Sequence, residues 1–358
     1  MVKYLSVLAQ VALVALASAG VEAQTLSAEI DLTAGYSGEE VRTSASQVRL
    51  FGEAPGRVNF FVDAAWGDRW AGDAPIHGDV PAESDPLGTD VFGAAYPYSG
   101  RLTIMDAYAE RSFRPRGALL GVRAGRFRTP FGIYNRSDYS YAGFIRPPLI
   151  RYDGYWALSN NWLEDGVMMT AGVPQLLVEA SVGRPSDAGF AKRKIGTDGS
   201  VRVQAYRGQF IVGVSHARSN PYMRRRTVTG RQVFTGIDGR WTHRSGIQAR
   251  GEFLKGRSWD GVSTVGAYID GYVHRPGMGP FTAVVRGEFL DYDTAPPRAR
   301  FGRRLTLGTR VRWPGPVTLQ LNYLRQHGDL PYIKKETIDF TATYSVRFDH
   351  RFTRSVDH

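Results

Sequence analysis

The chain has 358 residues, no cysteine, and no long apolar run outside its N-terminus. The lack of cysteine means that no disulfides are used, and it leaves the compartment open. No later stretch approaches the roughly 20 apolar residues of a membrane-spanning helix. The seven histidines show no metal-ligand spacing, and the sequence has no Gly-x-Ser-x-Gly elbow or phosphate-binding glycine loop. We therefore expect no enzyme activity, no catalytic residues, no metal and no cofactor.

The N-terminus has the order of features found in secretory signal peptides. Met1-Val-Lys3 is a short basic start, an apolar run follows over 4–19, and Val21-Glu22-Ala23 is a small-x-small cleavage pattern. The alternative, a membrane anchor, would need a longer run. We predict a signal peptide over 1–23 and a single exported domain over 24–358.

Strict alternation of apolar and polar residues runs through most of the exported part. The segment 337–348 is the clearest, because six apolar side chains from Ile338 to Phe348 share one face and polar side chains share the other. A period of two predicts a strand with one apolar and one polar face. Sixteen such segments can be counted, at about 27–37, 41–52, 57–67, 102–113, 118–127, 163–173, 175–184, 199–207, 209–217, 234–242, 246–256, 264–274, 281–291, 304–313, 317–326 and 337–348.

The connections between these segments alternate in length. Short turns with Pro or Gly, such as Ala54-Pro-Gly56 and Pro314-Gly-Pro316, follow the even-numbered strands, whereas longer polar connections such as 68–101 follow most of the odd-numbered ones. Short turns at one end and long loops at the other are typical of outer-membrane barrels. We predict an all-β fold, a 16-stranded antiparallel transmembrane β-barrel whose termini both lie on the periplasmic side.

Charged residues fall out of phase with the apolar faces. Arginine at the lipid-facing midplane of a barrel costs about 2–4 kcal/mol, so these residues are expected to point inward. The expected inward arginines are Arg123, Arg202, Arg240, Arg250, Arg286 and Arg310, and the expected inward acids are Asp31, Asp63, Asp106, Glu110, Glu179, Asp238, Glu252, Asp270 and Glu288. A barrel of this size leaves an aqueous channel. Arg111 and Arg126 are exceptions, since both fall in phase with the apolar side.

The stretch 125–162 after the fifth strand is too long for an ordinary connection. Ten of its residues are aromatic and five are arginine, against two acids, a composition that argues against disorder. We predict that it folds into the lumen as a constriction loop. The candidate pore and anion-binding residues are Arg123, Arg128, Arg136, Arg146, Arg151, Tyr134, Tyr139 and Tyr152. Two alternatives stay open: the arginines pair with wall acids, and the aromatic rings pack the loop against the wall.

Two motifs stand out in the sequence, Gly125-Arg-Phe-Arg-Thr-Pro-Phe-Gly132, which is the more specific, and Val285-Arg-Gly-Glu-Phe-Leu-Asp291. They resemble the porin O/P family of phosphate- and polyphosphate-selective outer-membrane porins. The resemblance implies a sixteen-stranded barrel, a homotrimer, and a loop after strand five folded into the pore. The chain departs from the family in having few lysines after the signal peptide, none of them in the long loop, and in continuing over 349–358 beyond the last aromatic of the final strand.

The function expected from the sequence is passive diffusion of small anions, phosphate among them, through an Arg-lined pore in the outer membrane of a Gram-negative-type bacterium. The alternative is a sugar or general-solute channel with an aromatic constriction loop. Expected partners are outer-membrane lipid, lipopolysaccharide, small anionic solutes and further copies of the chain in a trimer. Nucleic-acid binding is not expected for an exported barrel.

Overall fold

The structure is a computed structural model that describes seventeen strands and parts of their connections. The described residues are 25–38, 41–54, 56–71, 74–76, 101–133, 143–151, 163–185, 196–219, 231–258, 261–274, 277–294, 298–330 and 335–351. The predicted signal peptide lies outside them.

Sixteen of the strands form one closed antiparallel barrel. They are β1 (Thr25–Ser37), β2 (Val41–Ala54), β3 (Val58–Ala71), β4 (Arg101–Phe113), β5 (Leu119–Arg128), β6 (Leu163–Val173), β7 (Leu176–Pro185), β8 (Asp198–Arg207), β9 (Phe210–Ser219), β10 (Gln232–Thr242), β11 (Ile247–Arg257), β12 (Ser263–Val273), β13 (Phe281–Thr294), β14 (Arg298–Arg312), β15 (Val317–Gly328) and β16 (Glu336–Arg351). Each strand pairs with its neighbours in sequence, and pairing of β1 with β16 closes the sheet. A short additional strand, Ala74–Ile76, pairs with the end of β3. The predicted fold is thereby confirmed.

The alternation seen in the sequence separates the two faces of the barrel. Outward apolar side chains are left exposed, with Ile269 at 69% and Met169 at 62%. Inward polar and charged side chains such as Asp238, Asp270 and Arg202 are buried. An apolar outer surface around a polar interior is the arrangement of a transmembrane barrel, so the outer surface spans the hydrocarbon of an outer membrane.

Aromatic side chains mark the short-turn end of this outer surface. Phe113, Phe210, Phe281, Trp313 and Phe348 are each about half exposed and lie at or near the short turns. Phe210 also stacks on Trp241 with ring centroids 6.4 Å apart. Such girdles lie at the membrane interface in outer-membrane barrels.

Short turns connect each even-numbered strand to the strand that follows it, beginning with β2 to β3 and β4 to β5. Short turns lie on the periplasmic side of outer-membrane barrels, so this end of the barrel is the periplasmic one. Gly56 and Gly117 have positive φ angles of 81° and 83°, which a residue without a Cβ adopts at low cost. Both chain ends of the barrel, Thr25 and Arg351, lie opposite each other at this end. The final strand continues through Asp349 and His350, so part of the tail after Phe348 extends β16.

The two arginines that broke the sequence pattern do lie on the outer face. Arg126 forms an ion pair with Asp165 on the neighbouring strand, with Nε 2.8 Å from the carboxylate. The Arg111 guanidinium lies over the Phe113 ring, 4.9 Å from its centroid. Within the described residues, no helix is long and apolar enough to cross a membrane.

Candidate functional site in the lumen

Two described segments of the connection after β5, 129–133 and 143–151, lie inside the barrel against its inner wall. The rest of this connection, including Tyr134, Arg136, Tyr139 and Tyr152, lies outside the described residues. The constriction formed by the whole loop therefore stays a prediction. The two described segments, called here the docked segments, define the geometry of the site.

The docked segments bury apolar side chains against the wall. Phe131, Ile133, Phe144, Leu149 and Ile150 have no exposed surface. They form one buried cluster with the wall residues Ala217, Phe234, Leu254, Val262, Tyr268, Tyr272, Val284, Leu290, Tyr292 and Leu330. Each fully buried side chain of this size contributes about 1.5–3 kcal/mol, so the cluster is a principal source of docking energy.

The wall is shaped to receive these side chains. A Cβ on Gly236 would lie 2.9 Å from the Phe131 ring, and a Cβ on Gly266 would lie 2.5 Å from Ile150 Cγ2. Any larger residue at either position would push the docked side chain away. The two glycines therefore provide the space in which the loop packs.

Arg146 attaches one end of the docked segments to the last strand. Its Nε lies 2.6 Å from Asp339 Oδ2, and its Nη2 donates both to Asp339 Oδ1 at 3.0 Å and to the Ser37 hydroxyl at 3.2 Å. The Arg146 and Asp339 side chains are 2% and 0% exposed. Ser37 also donates to Asp339, at 2.7 Å. This is a bidentate, buried pair.

Arg151 attaches the other end to β11. Its Nη2 donates to Glu252 Oε1, and both side chains are fully buried. Glu252 also accepts a hydrogen bond from the Tyr268 hydroxyl at 3.3 Å, and Arg151 lies 5.6 Å from the Phe131 ring centroid. The ion pair thus holds both docked segments at one point of the wall.

Between these two ends, wall arginines bind the loop backbone. Arg286 pairs with Asp270 at 2.6 Å, donates from Nη1 to the Arg146 carbonyl at 2.9 Å, and stacks on Phe144 at 3.9 Å from the ring centroid. Arg304 pairs with Glu288 at 2.7 Å and donates to the Pro147 carbonyl at 2.5 Å. Each guanidinium therefore bridges a wall carboxylate and a loop carbonyl.

Two further wall side chains satisfy loop backbone groups. The Asn322 amide accepts from Ile145 N–H at 2.8 Å and donates to the Gly143 carbonyl at 3.0 Å. Glu288 accepts from Leu149 N–H at 2.5 Å. Buried backbone groups without partners would be costly, so these contacts specify one position for the segment.

The strand register arranges the inner-wall charges in two rows. The row nearer the long-loop end, called here the acidic row, contains Asp238, Glu252 and Glu288. The next inward-facing positions toward the periplasm carry Arg240, Arg250 and Arg286, called here the basic row, with Asp270 between the last two. The docked segments bind Glu252 and Glu288 of the acidic row, and Arg286 of the basic row also contacts them. Arg240 and Arg250 lie one inward-facing position further toward the periplasm than Asp238 and Glu252.

The two rows differ in their exposure to the lumen. The three acids are buried, whereas Arg240 and Arg250 are half-buried. The neighbouring Arg310 on β14 is half-buried as well. The acids of the acidic row are paired inside the wall. In the basic row, Arg250 and Arg286 both pair with Asp270, and the Arg250 side chain keeps 12% of its surface.

Arg123 and Arg128 lie across the lumen on β5. Arg123 pairs with Glu110 at 2.5 Å and its guanidinium lies 4.0 Å from the Tyr108 ring centroid. Arg128 lies 3.5 Å from Asp106. Their side chains remain 19% and 18% exposed. Of the sequence-predicted candidates, these two retain surface toward the channel.

Arg146 and Arg151, by contrast, hold the loop in place, which is the alternative that the sequence left open for each arginine. The wall residues that receive the loop, namely Asn322, Asp339, Glu288 and Arg304, were not predicted as loop contacts. The alternation in the sequence placed Glu288 among the inward acids and Asp339 on the polar face of its strand, without indicating a loop contact. Among the described residues, no cluster of three potential metal ligands is present.

No protein-family model matches the chain, and no curated protein matches it in sequence. Solved structures do match its fold. OmpF of Salmonella typhi, in a complex with daunomycin, superposes with a TM-score of 0.60 at 10% identity, covering 90% of this chain and 97% of that one. The anion-selective porin from Comamonas acidovorans gives 0.57 at 12% identity, covering 91% and 100%. The trimer form of OmpT, an outer membrane protein of Vibrio cholerae, gives 0.58 at 11% identity, covering 90% and 98%.

These similarities, together with the apolar outer surface and the polar lumen, define the class of the fold. The chain is a sixteen-stranded outer-membrane β-barrel with the porin architecture.

Proposed function

We propose that the protein is a passive diffusion channel of the outer membrane that favours small anions. The observation that carries this proposal is the basic row beside the docked segments. Arg240 and Arg250 are adjacent across β10 and β11 and half-buried, whereas the acids of the neighbouring row are buried. The Arg250 side chain keeps 12% of its surface while it pairs with Asp270 at 3.1 Å, so a permeating ion would pass partly exposed guanidinium groups beside the docked segments.

The same proposal covers the solute. Arginine presents a planar fork of donors that matches phosphate and carboxylate, and rings of basic side chains are a known basis of anion selectivity in pores. Phosphate and small organic anions are the proposed solutes, in line with the resemblance to porins O and P. The anion-selective porin from Comamonas acidovorans, which shares the fold, supports this choice.

The protein acts, in this proposal, after removal of residues 1–23 and as a homotrimer. The trimer form of OmpT from Vibrio cholerae supports the oligomer. The outer-face pair of Arg126 and Asp165, which lies among lipid-facing residues, supports it too, because a subunit contact would shield these charges from lipid. Arginines at the long-loop end, such as Arg300 and Arg325, would face lipopolysaccharide phosphates.

The test is the reversal potential of the purified protein in planar bilayers under a salt gradient. In the variant R240Q/R250Q, we expect the ratio of anion to cation permeability to fall about fivefold. A unit charge about 8 Å from an ion in water contributes ~0.5 kcal/mol, and about 0.1 M salt halves this value. Each substitution acts oppositely on anions and cations, so two together shift the ratio by ~1 kcal/mol.

The variant keeps the wall carboxylates paired. Asp238 retains Arg202 at 2.7 Å, and Asp270 retains Arg286 at 2.6 Å. R303Q/R325Q is the matched control, since it removes two arginines from exposed ion pairs outside the proposed subunit contact. Cation preference in the unmodified protein, or unchanged selectivity in R240Q/R250Q, would contradict the proposal. Block by maltodextrin without block by phosphate would instead favour a sugar channel.

A further inference from the structure

A second group of arginines lies outside the lumen, at the periplasmic edge of the barrel. Arg57 is in the turn between β2 and β3, and Arg114 and Arg116 are in the turn between β4 and β5. Arg111 lies on the outer face of β4, opposite Val58 at the start of β3. Because β3 pairs with β4, the two turns are neighbours, and all four arginines are exposed.

These arginines differ from the inward ones in having no acidic partner. Within the described residues, none of the four guanidinium groups makes a hydrogen bond or an ion pair, whereas Arg123 and Arg146, like most of the inward arginines, pair with carboxylates. Among the described residues, the Arg111 guanidinium lies over the Phe113 ring, 4.9 Å from its centroid. Four like charges on adjacent turns repel one another, so their placement favours an anion between them.

The group surrounds a cavity at the membrane interface. An open cavity of about 770 Å³ is lined by Gly56, Arg57, Arg111, Phe113, Arg114 and Pro115, with Ser112 at its edge. Phe113 belongs to the periplasmic aromatic girdle and faces outward. Arg111 lies two residues before Phe113 on the same face of β4, and so closer to the membrane centre. Its guanidinium extends over the Phe113 ring toward the level of the lipid headgroups, as long basic side chains do at membrane interfaces.

Two of these positions have an unusual backbone. Arg57 and Arg116 have φ angles of 62° and 48°, in the left-handed backbone region that residues other than Gly and Asn rarely adopt. Holding a non-glycine residue there costs on the order of 1 kcal/mol. Arginine occupies both positions despite this cost, both residues are exposed, and Arg57 lines the cavity.

We propose that Arg57, Arg111 and Arg114 form a binding site for the headgroup of an anionic phospholipid in the periplasmic leaflet. The three guanidinium groups would bind the phosphodiester, and Phe113 and Pro115 would contact the glycerol and the first acyl carbons. The apolar wall favours a lipid over a soluble anion, because an inorganic ion has no group to place against it. The site is separate from the channel and does not depend on its selectivity.

The test uses the purified full-length protein in detergent and native mass spectrometry. The probes are dilauroyl phosphatidylglycerol and dilauroyl phosphatidylcholine, which differ in the net charge of the headgroup. We expect phosphatidylglycerol to bind preferentially, and R57Q/R111Q/R114Q to weaken its binding at least about tenfold, since each basic residue near an anionic headgroup is worth about fivefold. Single-channel conductance should be unchanged, which verifies that the variant is folded.

The matched control removes the same charge from the same rim. R207Q/R244Q/R312Q replaces exposed arginines at three other periplasmic turns and should retain the lipid preference. Equal loss in both triple variants, or full retention in R57Q/R111Q/R114Q, would overturn the proposal. Displacement of the lipid by equimolar inorganic phosphate or by a hexaglutamate peptide would also overturn it, because the site would then be a general anion site.

Discussion

Asp339 is the wall residue whose replacement should most directly release the docked loop. It accepts two hydrogen bonds from Arg146 and one from Ser37, and it has no exposed side-chain surface. The variant D339N retains the shape of the side chain and removes its charge. The buried Arg146 guanidinium would then lose the carboxylate charge with which it forms its bidentate pair.

The magnitude follows from this burial. Removing one partner of a buried ion pair costs about 3–5 kcal/mol, which corresponds to a change of about 10² to 10³ or more in the equilibrium between docked and undocked states. The contacts of Glu288 and Arg151 keep the far end of the segment attached, and Asn322 still binds Gly143 and Ile145 on the other side of Arg146. The expected result is therefore partial release near Arg146 and an otherwise intact barrel.

The assay is single-channel recording in about 1 M KCl, where exposed charges are screened and buried pairs much less so. D339N should show larger mean conductance and frequent substates. D291N is the matched control, because Asp291 pairs with Arg303 on the exposed outer face and such pairs contribute about 0–1 kcal/mol. A quiet D339N channel of unchanged conductance, in a protein that still migrates as a folded barrel, would refute the idea that this pair holds the loop.

Two other predictions concern packing and processing. In G266A the new Cβ would lie 2.5 Å from Ile150 Cγ2 and 2.7 Å from the Phe289 carbonyl oxygen. We therefore expect ~1–3 kcal/mol of destabilisation and a noisier channel. G287A is the control, because its new Cβ would have no atom within 4 Å, and it should behave like the unmodified protein. Ordinary conductance in G266A would show that Ile150 has another place to pack. Mass spectrometry of the mature protein should give Gln24 as the first residue, and retention of residues 1–23 would contradict the predicted signal peptide.

Much of the fold was predictable because a strand has a period of two and a barrel has two chemically different faces. In 337–348 the alternation alone gave the strand and the direction of each side chain, and β16 extends over Glu336–Arg351. Asp63 and Glu110 likewise face inward as their phase predicts, with Asp63 buried. A shift of one residue would expose every inward charge to lipid, which is why the register is so well specified.

The contacts of the site could not be predicted in the same way. Arg146 and Asp339 are 193 positions apart, and Arg286 lies 140 positions from the carbonyl that it binds. Phase reveals that an arginine points inward, but it does not reveal whether that arginine meets water, a wall carboxylate or a loop backbone. Arg123 and Arg146 look alike in the sequence, yet one keeps surface toward the channel and the other is buried.

The geometry also gives a reason for the strong preference for arginine over lysine. Arg286 donates from Nε to Asp270 and from Nη1 to a loop carbonyl, and Arg304 does the same with Glu288 and Pro147. A rigid guanidinium can serve two acceptors on different elements at once, whereas a lysine ammonium is a single point on a flexible stem. The low number of lysines is a departure from the pattern expected of phosphate-selective porins. At Arg286 and Arg304, attachment of the loop explains why arginine is used and lysine is not. In the proposed anion channel, the arginines that keep part of their surface are Arg123, Arg128, Arg240 and Arg250. We predict that lysine substitution at these positions changes the selectivity measured by reversal potential without releasing the loop.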